Sequence, residues 1–269
     1  MGDYIIAAVP KSLEFGNKLV DILSSRQTLG EMELQRWVRD IKQLKDYANE
    51  SYLLAMAYAA GGKKEKAILY FDRSLSNDED GVSATNYITF IASEGNVEDY
   101  LKVSTKLAEM YVSRELYGYA YYMHLHCGKF NEAIDYAKKF IKVSPNGEDE
   151  SMQQQVDYLE RSLKDFKELA SISDAKFELI AGSMAKVMRK HKATSALHLF
   201  HTVREESVNA YVITISEIDL EEIGQMNYEL AFEMAEHDEL LGMHVSAWFE
   251  MELGAEAEEE SVLNYMDKK

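Results

Sequence analysis

The sequence predicts a mainly α-helical protein, a helical-repeat solenoid followed by a small α+β domain of order helix, strand, strand, helix, strand. Two observations carry the helical part. Only two prolines and 14 glycines in 269 residues leave too little punctuation for a turn-rich all-β fold. Gly62, Gly95 and Gly128 also recur at intervals of 33 residues, a period typical of stacked helical units. A third observation carries the change of class, because after residue 171 stretches rich in β-branched and aromatic residues alternate with helical patterns.

Taken in order, "PKSLEFGNKLVDILSS" and "GEMELQRWVRDIKQLKDYA" read as helices, with Leu34, Trp37, Ile41 and Leu44 at three- and four-residue steps in the second. The three glycine neighbourhoods follow. Apolar helical segments, "YLLAMAYAA", "NYITFIASE" and "YAYYMHLHC", precede the glycines. Four mostly polar residues come after each, then Ala67, Tyr100 and Ala133, each followed by an aliphatic residue. Each unit therefore reads as helix, tight turn, helix. Glycine suits a left-handed helix end, and Ala67 and Ala133 suit the close approach of two helices. Gly61 has no counterpart in the other units, so only the second glycine of that pair is expected to matter to the architecture.

These residues resemble the tetratricopeptide repeat (TPR) family over about residues 48–145. The first unit supplies Leu54, Ala55, Tyr58, Gly62, Ala67, Phe71 and Ser74. The third supplies Tyr121, His124, Gly128, Ala133, Ala137 and a closing Pro145, with Phe140 where a small residue is usual. The middle unit departs from the pattern, with Tyr100 in place of the small residue and Ile91 in place of the tyrosine. The resemblance implies a groove that binds a partner helix or peptide. Its positions here are Asn49, Tyr52 and Met56, then Thr85, Asn86 and Thr89, then Tyr119, Tyr122 and His126. None is basic, which disfavours the carboxylate clamp best known in that family.

Beyond Pro145, "SMQQQVDYLERSLKDFKELA" carries a stripe of Val156, Leu159, Leu163 and Phe166, suited to capping the open end of a stack. Residues 1–170 are thus expected to form the repeat domain, 171–253 a small acidic domain, and 254–269 an acidic tail. In the small domain, "DAKFELIAGSMAKVMRKHK" is a helix capped by Ser173 or Asp174. "SALHLFHTVR" and "NAYVITIS" are strands joined at "EESV". The next helix starts with Asp219 and Glu222 as a capping box and buries Ile223, Met226, Leu230 and Met234, and "GMHVSAWFEME" is the third strand.

Charge narrows the function. The net charge is -18, and the stretch from Glu205 to Asp267 holds 18 Asp and Glu with no Lys or Arg. Such a surface repels phosphate backbones and favours a basic protein partner, so direct nucleic-acid binding is not expected. The single Cys127 permits no intramolecular disulfide, no segment suits a signal or a membrane span, and a cytoplasmic setting follows.

Chemistry finds little purchase. His198 and His201 fall on opposite faces of a strand, and His124, His126 and Cys127 sit at a helix end, so no metal or other cofactor is expected. Gly182-Ser183 with Glu217 and Asp219 loosely resembles a nucleotidyltransferase arrangement, but the gap is too long and Gly182 lies inside a helical pattern. The reading is a non-enzymatic interaction scaffold. The alternative is an inhibitor, immunity protein or antitoxin whose acidic domain masks a basic nuclease or DNA-binding partner.

Overall fold

The computed structural model describes residues 10–25, 27–78, 81–203 and 208–252, so residues 205–207 of the expected turn and the expected tail lie outside it. The described residues are mainly helical, with one three-stranded sheet near the C-terminus. None of the helices is long and apolar enough to cross a membrane. The chain divides into two compact units, residues 1–111 and 112–269.

The first unit holds α1 (Lys11–Ser24), α2 (Glu31–Gln43), α3 (Glu50–Ala60), α4 (Lys64–Ser74), α5 (Val82–Glu94) and α6 (Val97–Met110). Phe15 of α1 meets Trp37 of α2 edge to face at 5.1 Å, and Leu34 and Ile41 are buried. Helix α3 is apolar around most of its circumference, as befits a helix packed against α1, α2 and α4. Ala67 is fully buried, and Phe71 behind it stacks on Tyr87 of α5 at 5.0 Å. Helices α4 and α6 are tied by Lys64–Asp99 at 2.8 Å and Asp72–Lys106 at 2.9 Å, pairs 35 and 34 residues apart in sequence.

The second unit holds α7 (Arg114–His126), α8 (Phe130–Val143), α9 (Glu150–Leu169), α10 (Asp174–His191), β1 (Ser195–Val203), β2 (Val208–Ile215), α11 (Leu220–Ala235) and β3 (Ser246–Met251). Here too side chains about 34 residues apart join neighbouring helices. Arg114 pairs with Asp149, the N-cap of α9, at 2.8 Å, and the Tyr121 hydroxyl donates to Gln155 at 2.9 Å. The stripe of α9, Val156, Leu159, Leu163 and Phe166, is buried throughout. Ser173 rather than Asp174 caps α10, accepting from the Lys176 amide.

Strands β1 and β2 pair antiparallel from Ser195↔Ile215 to Val203↔Val208, and β2 and β3 pair parallel from Ala210↔Ser246 to Ile215↔Met251. A parallel pair needs a crossover, which α11 supplies. Central β2 is buried from Asn209 to Ile215, and its near-continuous apolar run reflects cover on both faces. Strand β3 starts at Ser246, four residues later than the sequence pattern predicts, because Gly242 takes a left-handed turn (φ 73°) ahead of it. At the β3 edge, the Asn227 amide of α11 both donates to the Phe249 carbonyl (2.9 Å) and accepts from its N–H (2.7 Å), as a neighbouring strand would.

The turns correct the glycine argument in two ways. Gly62 (φ 65°) and Gly128 (φ 70°) are left-handed, and both make the same six-to-one and five-to-two bonds: Lys63 to Tyr58 and Gly62 to Ala59, then Lys129 to His124 and Gly128 to Leu125. Gly95 is different. Its φ is -81°, α6 restarts after one further residue, and Asn96 caps it through the Asp99 amide. Glycine is needed there because a β-carbon would meet the Ile91 carbonyl oxygen and, at 2.9 Å, the Ile91 side chain. Gly61 also has a role, since a β-carbon on it would come within 2.6 Å of buried Leu34. Tyr100, at the expected close-contact position of the middle unit, is half-buried, and the fully buried small residue of α6 is Ser104.

The two matched glycines differ in surroundings. A β-carbon at Gly62 meets only Thr28 at 3.9 Å, whereas at Gly128 it would fall 2.6 Å from the Ala181 β-carbon and 3.2 Å from Ala181 backbone. In urea unfolding, Gly62→Ala is expected to lose about 1 kcal/mol from backbone strain alone. Gly128→Ala is expected to lose at least about 2 kcal/mol, because α10 must also shift.

Candidate functional site

The residues expected to bind a partner stand on α3, α5 and α7. On α3, Asn49 is the exposed N-cap residue, and its side chain donates to Asp46 at 2.9 Å instead of capping the helix. Tyr52 is half-buried, and Met56 is 2% exposed, a core residue of the first unit with no surface to offer. On α5, half-buried Thr85 and Asn86 and exposed Thr89 line up within the helix. The Asn86 side chain donates to the Val82 carbonyl and the Thr89 hydroxyl to the Thr85 carbonyl, so both are partly engaged by their own backbone.

Helix α7 is the best-defined of the three. Ser113 caps it, and Arg114 lies over the Phe140 ring at 4.3 Å while holding Asp149. The run of three tyrosines and an alanine from Tyr119 to Tyr122 divides by helical period: Tyr121 is buried, Tyr119 half-buried and Tyr122 56% exposed. Tyr122 packs against Tyr121 at 4.8 Å, which holds its ring while leaving most of it in solvent. His126 instead faces β1, where its Nδ1 lies 3.4 Å from the Ser195 hydroxyl. Burial, with the Arg189 charge as a second cause, holds its pKa below the ordinary histidine value. The same face of the unit brings Tyr158 of α9 to β1, with its hydroxyl 3.5 Å from the His198 carbonyl. His126 thus makes an internal contact, and of this set Tyr122 has the most surface in solvent.

Behind β1 lies a polar pair in the core. His198 is buried and its Nδ1 is 2.6 Å from the Tyr211 hydroxyl, while its Nε2 has no hydrogen-bond partner. Burial, with a smaller push from His126, lowers the His198 pKa to about 3. His201, three residues on, is exposed on the opposite face. His124 and Cys127 are both buried, and His124 donates from Nδ1 to the Ala120 carbonyl at 2.8 Å. Among the described residues no three His, Cys, Asp or Glu side chains converge as a metal site would require.

Sequence patterns point only faintly to a polar cleft of the second unit, about 520 Å³, lined by His191, Lys192, Thr194, Ser216, Glu217, Asp219 and Glu222. Two of these, Lys192 (φ 53°) and Glu217 (φ 51°), hold left-handed backbones without being glycine. Asp219 spends its carboxylate capping α11, accepting from the Glu222 amide at 2.8 Å. Gly182 and Ser183 lie in the middle of α10, with Ser183 buried, so neither forms a turn beside those carboxylates. At the rim, the His191 imidazole sets Nδ1 against Glu222 and Nε2 3.1 Å from Glu229, which also takes Lys190 at 2.8 Å. The basic C-terminal turn of α10, noted in sequence only as favourable to its own dipole, is thus a clasp onto α11. Partial burial opposes the charged His191, but the bonds to Glu222 and Glu229 outweigh it and raise its pKa. Glu229 is held at about 2, chiefly by Lys190 and then by Gln225 and His191.

Comparison of the chain with protein-family profiles, with curated proteins and with solved structures returns no match.

The clasp has a pH window. A raised histidine pKa stabilises fully below pH 6.5 and fades as pH rises through the raised value, while a lowered Glu229 stabilises above pH 4.5 and fades as pH falls toward 2. The stability difference between wild type and His191→Gln, from urea midpoints, is therefore expected to be largest between pH 4.5 and 6.5 and to shrink in alkali. His198 has the opposite sign. Folded neutral with a pKa near 3 against 6.5 unfolded, it takes about 2 kcal/mol from stability at about pH 5, and its ring proton resonance is expected to stay at the neutral position down to about pH 4.

Proposed function

We propose that the chain is a protein–protein interaction scaffold, without catalytic activity of its own, in which a TPR-like helical-repeat region binds a partner helix or peptide in the cytoplasm. The observation that carries this reading is the recurrence of side-chain bonds between equivalent helices at one interval, Lys64–Asp99 and Asp72–Lys106 in the first unit and Tyr121–Gln155 in the second. Residues 34 or 35 apart meet when successive helix pairs stack in register, the construction that defines repeat proteins. The matched turns at Gly62 and Gly128 support the same reading. The partner-facing side chains are then Tyr122 and Tyr119 in the second unit and, taken by itself, Tyr52, Asn49, Asn86 and Thr89 in the first. Tyrosine gives such a surface a large apolar body and a polar tip at low entropic cost.

A second reading, that the acidic C-terminal part masks a basic nuclease or DNA-binding partner, is favoured by the 18 Asp and Glu between Glu205 and Asp267, a stretch with no Lys or Arg of its own. The two separate by salt. Affinity capture with the full chain, repeated at about 0.5 M salt, keeps a partner held mainly by tyrosines and releases one held mainly by charge. For the scaffold, Tyr119→Ala/Tyr122→Ala is expected to weaken the captured partner about tenfold or more with an unchanged circular dichroism spectrum. Equal capture by this variant overturns the reading, and a loss of helical signal assigns the two rings to packing.

A further inference from the structure

Helix α11 is apolar on two opposite sides. Ile223, Met226 and Leu230 face the interior. Half a turn away, Leu220, Tyr228 and Phe232 are 74%, 62% and 59% exposed, and Leu241 just beyond the helix is 70% exposed. The Tyr228 and Phe232 rings hold each other edge to face at 4.8 Å. A helix lying on a solvated surface carries polar residues outward, and contiguous exposed apolar side chains rimmed by charge mark an interaction site. The polar residues of α11 are used elsewhere: Glu222, Glu229 and Glu233 turn toward α10, where they meet His191, Lys190 and Lys186. Small residues at 224, 231 and 235 sit among the outward rings and leave room for a second helix to approach.

We propose that this face docks a basic amphipathic helix of a partner protein, with aliphatic side chains seated around Tyr228 and Phe232 and Lys or Arg lying over the rim. The rim decides the occupant. Glu221, Glu236, Asp238 and Glu239 are exposed around the stripe, and no Lys or Arg occurs between residues 205 and 267. A second copy of the chain would bring the same carboxylates face to face. The chain's own segment beyond residue 252 carries Glu256, Glu258, Glu259, Glu260 and Asp267 against Lys268 and Lys269, and is repelled by the same rim. A cationic partner gains on both counts. The inference does not rest on the scaffold reading, because it concerns α11 and not the tyrosines of α7; it deepens the second reading by giving a basic partner one face, and its failure leaves the rest of the acidic region to that reading.

The probe is a synthetic peptide of about 18 residues with Leu and Lys at helical spacing, and a control in which every Lys is Glu. Binding to the full chain is followed by fluorescence anisotropy. The Lys peptide is expected to bind and the Glu peptide not, with affinity falling steeply between about 50 and 500 mM salt. Tyr228→Ser/Phe232→Ser, which leaves every charge in place, is expected to weaken binding about tenfold or more at unchanged circular dichroism. Glu221→Gln/Glu236→Gln is expected to flatten the salt dependence. Undiminished binding by the Ser pair overturns the proposal, since attraction would then be charge alone. Two other results also overturn it: a wild-type dimer in sedimentation that the Ser pair makes monomeric, which gives the face to a second copy, or binding that strengthens tenfold on deleting residues 253–269, which gives it to that segment.

Discussion

The second unit depends on one cluster of rings around Tyr211. Phe130 from α8, Phe177 from α10, and His198 and Phe200 from β1 pack on it, with Phe200 stacked at 5.1 Å and the Phe177 ring centroid at 5.6 Å, and Phe166 from α9 joins through Phe177 and Phe200. Tyr211 itself is fully buried. Five elements far apart in sequence thus share one core, which is why the helices α7–α9 and the sheet form one compact unit. Each ring contributes on the order of 2–3 kcal/mol by burial, so the phenol hydroxyl in the middle is tolerable only with a partner. His198 supplies it, and burial in turn keeps that imidazole neutral. The buried histidine is thus the consequence of a tyrosine in a core.

The other organising constraint is electrostatic. Without Lys or Arg between residues 205 and 267, the acidic region takes its cations from α10, and Lys186, Lys190 and His191 provide them along one side of α11. That leaves the outward side of α11 to carry rings, and it explains how a segment with so many carboxylates folds at all: the repulsion is relieved where helices meet and persists where they face water.

Much of this was legible in sequence because it depends on local rules. The helix and strand order after residue 171, the buried stripe of α9, the caps at Ser173 and Asp219 and the opposed faces of His198 and His201 all follow from periodicity and capping chemistry. What was missed depends on neighbours distant in the chain. Glycine marked two left-handed helix ends, but α9 and α10 end in the same bonded turn with Ser171 and Lys192 in the left-handed place, where composition gives no warning. Gly95 kept the period for a different steric reason. Met56 fits a groove position in the repeat pattern, yet α3 has neighbours on enough sides to bury it. The outward rings of α11 leave no separate mark on the pattern, because its buried stripe alone satisfies the amphipathic period.

The Asn227 amide bears on how the protein behaves at high concentration. A strand edge with free N–H and C=O groups is a template on which other chains crystallise into fibrils, and proteins commonly blunt it with charge or proline. Strand β3 has neither lysine nor proline along it. One carboxamide, held by a helix and matched to the Phe249 backbone, takes that protective role beside the single charge of Glu250, so protection of this edge is tied to α11 staying docked.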